Sequence, residues 1–319
     1  MATAEQIKSL VKAYVDCNDD KFKTVVLQIA AHEAKLGHDN LARDLKKQLD
    51  KVGNRRANIV QLTSVNPMLL LSMPSHDISE LIVSEDILDK IQRIINEYRN
   101  RNKLVSYGLT NRRKILIEGN PGTGKTLTAS IIASELSLPL YTVQMDKLVT
   151  KFMGETSAKL RQVFDSMETS VGVYLFDEFD AIGADRGLDN EVGEMRRILN
   201  SFLQFIEQDN SESIIVAATN NQKLLDQALF RRFDDVLHYR LPSQDEIKRL
   251  LENKIVAYDS DFKVTKNIMK FAEGLNHAEI TKVCDDAIKN SILCNEPITD
   301  KMVINLLSER HNTYTCKEA

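Results

Sequence analysis

Eight residues, GNPGTGKT from Gly119 to Thr126, follow the spacing G-x-x-x-x-G-K-T directly after the apolar run KILIE. That composition suits a phosphate. Glycines let consecutive backbone N–H groups curl round an anion, and the run LTASIIASEL behind them predicts a helix whose amino end adds a favourable dipole. Lys125 is placed to reach the β and γ phosphates, and the Thr126 hydroxyl to ligate Mg2+. A second cluster, VYLFDEFD, sets Asp177 and Glu178 at the carboxyl end of four apolar residues, where open α/β sheets bind ligands. Asp177 suits the metal and Glu178 the polarisation of an attacking water. Asn220, at the end of IIVAATNN, offers a neutral amide that could orient the same water, although asparagine is also a common turn former. Arg231 and Arg232 follow in LLDQALFRRFDD. A guanidinium on a transferring phosphoryl group is worth roughly a 1000-fold in rate or more, whereas an isolated arginine pair is more often a surface ion pair.

These groups need a scaffold. KILIE, LYTVQ, VYLFD, SIIVAAT and VLHYRL are short runs rich in β-branched and other apolar residues with helical stretches between them, which predicts an α/β fold with a doubly wound, five-stranded parallel sheet over residues 80–242. After Pro242 the strands stop. Ser243 with Glu246 and Asn276 with Glu279 are capping-box pairs, and Ile280, Val283, Cys284, Ala287 and Ile288 share a face, so residues 243–319 read as a helical lid. Residues 1–52 alternate helical apolar spacing with stop signals and read as a small amino-terminal helical bundle. Residues 53–79, mixing Gly, Pro, Ser and Asn with apolar residues, read as a linker lying along the next domain. HEAKLGH (His32 to His38) begins like a zinc-protease motif, but Leu36 stands where the second ligand belongs, so no metal site is expected there.

Composition excludes several classes. With 43% hydrophobic and 28% charged residues the chain is neither disordered nor fibrous. A net charge of -4 provides no global field for DNA or anionic lipid. Arg99, Arg101, Lys103, Arg112, Arg113 and Lys114 form a local basic strip, more simply read as a solvated helix and loop. Cys17, Cys284, Cys294 and Cys316 are far apart, which suits reduced thiols and a cytoplasmic protein. MATAEQIKSL lacks a signal-peptide profile, and PMLLLSMP falls well short of the roughly 20 residues that span a bilayer.

From Glu80 to Glu309 the sequence resembles a single-ring AAA+ ATPase of the AAA type. GNPGTGKT corresponds to that family's Walker A motif, LFDEFDAIGADRG to Walker B, AATNNQKLLDQALFRRFD to sensor 1 with arginine fingers, and GLNHAEITKVCDDAIK to the lid helix. The resemblance implies ATP and Mg2+ as cofactors and a homo-hexamer with nucleotide at subunit interfaces. Gly119, Asn120, Pro121, Gly122, Thr123, Gly124, Lys125, Thr126 and Leu127 would hold the nucleotide, and Arg231 and Arg232 would reach the neighbour's site. It also gives a place to Lys151, Phe152 and Met153, which occupy the position of the family's pore loop. An aromatic beside a flexible thioether can grip many sequences with little discrimination. Packing of Phe152 and Met153 against the next helix is the alternative.

Two departures from the family pattern stand out. Asn276-His277-Ala278 replaces the usual Ser-Gly-Ala at the lid helix, setting His277 near the nucleotide, and RRFD lacks the intervening Pro-Gly of many members. AAHEAKLGHDNLARDL resembles the amino-terminal helices of bacterial AAA ATPases encoded beside subtilisin-like serine proteases in defence operons. Three functions therefore compete: a motor that threads or remodels a protein substrate, an ATP-dependent switch activating a partner protease or effector bound through the amino-terminal domain, and, least favoured, a nucleic-acid motor or loader.

Overall fold

The computed structural model describes residues 25–27, 29–30, 66–148, 155–179, 189–220 and 230–315. By internal contacts the chain divides into Met1–Ser64 and Val65–Ala319. In the first unit the described residues are helical, with Val25 and Ala30 buried. The rest of the expected bundle, HEAKLGH included, lies outside the described residues, as do Lys151, Phe152 and Met153 of the expected pore loop.

The second unit is built on a six-stranded sheet in the order β1-β3-β4-β5-β2-β6. Its strands are β1 (Leu69–Ser72), β2 (Lys114–Gly119), β3 (Leu140–Val143), β4 (Val173–Phe176), β5 (Ile214–Thr219) and β6 (Asp235–Tyr239). Five of them, β2 to β6, are the runs expected from sequence, and every pairing among them is parallel. The sixth corrects the sequence reading. β1 comes from the stretch read as linker and pairs antiparallel with β3, Leu69 opposite Val143 and Ser72 opposite Leu140. Its alternation, Leu69 buried and Leu70 exposed, buries one side of the ribbon as an edge strand should. The Gly/Pro/Ser punctuation around it masked a four-residue strand.

Helices cover both faces. On one lie α1 (Glu85–Arg99) and α3 (Lys125–Leu136), with α2 (Arg101–Ser106) following α1. Ile87, Ile91, Ile94, Ile95 and Tyr98 recur along α1 at helical spacing and are buried, so this stripe seats it on the sheet. Against the other face pack α5 (Glu155–Thr169) and α6 (Asp189–Gln208), with the short α4 (Met145–Leu148) before them. An aromatic cluster fills that layer. The Phe202 ring centroid lies 5.9 Å from that of Phe164, 5.0 Å from Phe176 and 4.4 Å from Phe179.

After β6 the chain is helical: α7 (Gln244–Leu251), a π-helical continuation (Glu252–Val256), α8 (Lys266–Ala272), α9 (His277–Cys294) and α10 (Asp300–Thr315). These have a core of their own, including Ile247, Leu251, Ile280, Val283, Ala287 and Leu307. Both expected capping boxes form. The Ser243 hydroxyl accepts from the Glu246 N–H, the Asn276 side chain accepts from the Glu279 N–H, and each glutamate accepts from the N–H of its cap residue in return. Cys284 and Cys294 are free thiols, and burial pushes the Cys284 thiol up to about 12.

The helical core takes in one residue from outside it, Ile82. Leu81 and Val83 belong instead to the core between the sheet and α1/α3. This segment alternates like a strand, and so clamps the lid to the sheet layer. Among the described residues no helix is long and apolar enough to cross a membrane.

Truncating the centre of the aromatic cluster tests this packing. Phe202→Ala is expected to cost about 3–5 kcal/mol, read as a lower midpoint in denaturant unfolding at unchanged slope.

Candidate active site

Strand β2 runs buried to Gly119, where the main chain lies so close to β6 that a Cβ would sit 2.5 Å from the Tyr239 carbonyl oxygen. Only glycine lets the strand turn there without pushing β6 away. The loop then bends through Gly122, at φ 74, and a Cβ at that position would lie 2.7 Å from the Asn276 Oδ1 of the lid. Inside the loop the Thr123 hydroxyl donates to the Asn120 carbonyl at 2.8 Å. Helix α3 starts at Lys125 with its amino end facing the cleft, so loop and helix supply the N–H groups and dipole that an anion needs.

Lys125 is buried, and its ammonium donates to the carbonyls of Gly119 at 2.8 Å and Asn120 at 2.9 Å and to the Asn220 Oδ1 at 2.7 Å. The expected lysine and the expected amide, 95 positions apart, thus meet at the carboxyl ends of β2 and β5. From the end of β4 comes the third element. The Thr126 hydroxyl donates to the Asp177 Oδ2 at 2.6 Å, and the other Asp177 oxygen accepts from the Glu178 N–H at 2.9 Å. Glu178 adopts a left-handed backbone, φ 51, which is uncommon for a residue with a side chain. Backbone strain of this kind is concentrated at functional positions, and it leaves the Glu178 side chain exposed at the cleft.

The cleft measures about 550 Å³, within the usual range of roughly 300–1,000 Å³ for small-molecule sites. It is lined by residues 121–127 with Asp177, Glu178 and Asn220. Gly119 and Asn120 stand behind it, supplying the carbonyls that hold Lys125. The lining also includes Glu80, Leu81, Ile82, Leu250, His277, Ala278, Thr281 and Lys282. Of this second set the sequence reading found only His277. Ala278, Thr281 and Lys282 share the helical face of His277, a periodicity that could have been followed. Leu81 and Ile82 carry no such signal, because they line the cleft through the fold of a non-helical segment. The lid is tied directly to the phosphate loop: the Ala278 N–H donates to the Gly122 carbonyl at 2.9 Å.

The oxygen set fits a magnesium ion. Mg2+ prefers hard oxygen ligands, usually one or two carboxylates together with substrate phosphates, and the paired Thr126 and Asp177 oxygens at the phosphate end meet that description. Among the described residues no cluster of three or more His, Cys, Asp or Glu side chains suits a metal held by protein alone.

Arg231 and Arg232 do not line this cleft. They precede β6, and Arg232 is ion-paired with Glu207 near the end of α6, just ahead of β5. Because β2, β5 and β6 are parallel, the arginines lie by the amino edge of the sheet and the phosphate loop at its carboxyl edge. The basic strip is largely neutralised: Arg99 pairs with Glu135, Arg101 with Glu212, Arg112 with Glu97 and Arg113 with Asp209.

Residues 115–241 match the family model described as "ATPase family associated with various cellular activities (AAA)". An uncharacterised AAA family ATPase, y4kL, from Sinorhizobium fredii is 34% identical over 301 residues, covering 92% of this chain and 90% of that protein. The chain belongs to the AAA family of ATPases. It is an ATP hydrolase. A putative 26S proteasome regulatory subunit homologue of Methanothermobacter marburgensis is 30% identical over 65% of this chain and 55% of its own length. The ATP-dependent zinc metalloprotease FtsH of Mycoplasmopsis synoviae is 31% identical over 72% of this chain, which spans 35% of that protein. The crystal structure of the FIGL-1 AAA domain superposes with a TM-score of 0.59 at 19% identity, covering 80% of this chain and 88% of that one, a likeness of fold.

For an AAA ATPase with this geometry two substitutions should separate binding from hydrolysis. Lys125→Ala is expected to abolish ATP binding in an equilibrium titration. Glu178→Gln should still bind ATP while turnover falls by about 100-fold or more, and parental turnover in that variant would remove Glu178 from the chemistry.

Proposed function

We propose that this ATPase acts as a homo-hexameric ring in which each active site is completed by a neighbouring copy, and in which hydrolysis drives a protein substrate through the central pore. The observation that carries the shared site is the position of Arg231 and Arg232 at the edge of the sheet opposite the phosphate loop. A five-residue strand rising about 3.3 Å per residue puts roughly 16 Å between the two edges. An arginine there is out of reach of its own cleft but available to another copy's. The pair with Glu207 is partly exposed, a kind of ion pair worth about 0–1 kcal/mol, so exchanging the carboxylate for phosphate costs little.

Within the cleft Lys125 would turn from backbone carbonyls to the β and γ phosphates of ATP. Thr126 and Asp177 would hold Mg2+, which when bound neutralises charge on those phosphates. Glu178 would take a proton from the attacking water, with Asn220 beside Lys125 orienting that water. Arg231 and Arg232 of the neighbouring copy would stabilise the charge on the transferring phosphoryl group.

A protein substrate is favoured over nucleic acid on two grounds. Relatives carry the names of a proteasome regulatory subunit homologue and of an ATP-dependent metalloprotease, and the basic strip is mostly paired with acids. Threading adds Lys151, Phe152 and Met153 as the gripping loop, argued from sequence alone.

The shared site predicts complementation. Arg232→Ala and Lys125→Ala subunits, each inactive alone, should recover part of the ATPase rate when mixed, and a mixture that stays dead would count against it. Phe152→Ala should keep ATPase within a few-fold of normal while work on a protein substrate is lost. If that variant is folded, ATPase-active and still supports the biological output, the ring signals rather than threads.

A further inference from the structure

One buried acid beside the phosphate loop takes no part in holding Mg2+ or activating water. Glu118 is the residue before Gly119, second from the end of β2, and only 4% of it is exposed. A carboxylate is an odd neighbour for a polyphosphate. The Lys125 ammonium rests on the carbonyl of the very next residue, Gly119, at 2.8 Å. An ionised Glu118 therefore acts against nucleotide in two ways: it repels the phosphates, and it draws on the lysine that must bind them.

The sheet sets a histidine against this acid. In the parallel ladder of β2 and β6, Glu118 stands opposite His238, and the imidazole Nδ1 is hydrogen-bonded to the Glu118 Oε1. An ionised carboxylate only accepts, so Nδ1–H is the donor. Leu116 and Val236, two residues back on each strand, pack into the layer of α5 and α6, and the strand period of two puts both members of the pair on that face. The two ends of the contact differ in exposure, 5% for the Glu118 side chain and 53% for the imidazole. Because β6 is the last strand of the sheet, no further strand covers the ring. A cation in that place escapes the desolvation cost of a fully buried one. On the other side of Glu118 stands Thr219 of β5, also buried, and the residue after it, Asn220, accepts from Lys125. The row Thr219, Glu118 and His238 thus crosses the sheet one residue short of Gly119 and Asn220, which hold the ammonium.

We propose that His238 is a positioning residue for nucleotide binding: it holds the Glu118 carboxylate on the β6 side and offsets its charge, which leaves Lys125 to the phosphates. The inference rests on the cleft binding ATP through Lys125. It requires that His238 touch neither ATP nor the attacking water, and that its effect follow the charge of the ligand.

The test is a double-variant cycle on the full-length protein, read as equilibrium affinity for a non-hydrolysable ATP analogue and for ADP at low salt, with thermal melts confirming that each variant is folded. The expected result is that His238→Ala weakens the triphosphate about five- to tenfold, the scale of a nearby unit charge partly screened by water, and weakens ADP less. Glu118→Gln alone should stay within about twofold of wild type, and adding it to His238→Ala should return the affinity to the level of Glu118→Gln. Unchanged triphosphate affinity in a folded His238→Ala overturns the proposal. So does a Glu118→Gln effect that is the same in both backgrounds, which would make His238 a strand-packing residue. Should His238→Ala not fold, His238→Lys and His238→Gln decide: tighter triphosphate binding by the lysine variant, which keeps a cation, supports the proposal, and equal or reversed affinities overturn it. Wild-type protein that binds neither nucleotide would refute the nucleotide reading itself, whereas the other adverse outcomes refute only the role of His238.

Discussion

A buried ammonium at the carboxyl end of the central strand sets the terms for the rest of this structure. Taking a lysine charge out of water costs several kcal/mol unless oxygen atoms replace its hydration. Here two carbonyls of the loop and one side-chain amide do so. The amide comes from β5, so β5 must lie beside β2 and in the register that brings Thr219 opposite Glu118. Both strands are buried along nearly their whole length, which makes a slip of one residue prohibitive because it would exchange the side chains on the two faces. The ammonium is therefore held in place by the same pairing that orders the sheet.

A parallel sheet has direction, and the site inherits it. Every strand that contributes to the cleft does so at its carboxyl end, where the helix dipole of α3 and the acids after β4 converge. The connections that enter β5 and β6 gather at the amino edge, and Arg231 and Arg232 belong there. A single chain with this topology keeps its phosphate-binding groups and these two guanidiniums apart. That separation is what the proposed shared site requires.

The lid is joined to the rest of the unit by both side chains and backbone. Leu81, Ile82 and Val83 alternate between two cores, and the amino end of α9 donates to the phosphate loop through Ala278. Movement of the lid must break or carry along both attachments. Gly122 has no room for a side chain because Asn276 occupies that space while capping α9. One asparagine thus serves helix, lid and loop together.

Much of the site was legible in the sequence because its parts are local. GNPGTGKT needs no distant information: its glycines, lysine and threonine fix a strand-to-helix turn by their own conformational needs. The five parallel strands were legible for a similar reason, since a fully buried strand must be a continuous apolar run. So were the caps at Ser243 and Asn276, which are contacts between near neighbours. What tertiary structure decided was everything depending on two remote segments meeting. β1 looked like linker because an edge strand needs only one apolar side and its pairing with β3 is invisible locally. The cleft lining was missed at Leu81 and Ile82 because ordinary core residues become lining residues only when a lid packs beside them. The basic strip looked like a charged face until Glu97, Glu135, Asp209 and Glu212 arrived from elsewhere in the chain to meet it. Residue type and short spacing determine which chemistry a segment can perform, whereas long-range packing alone determines which groups stand close enough to perform it together.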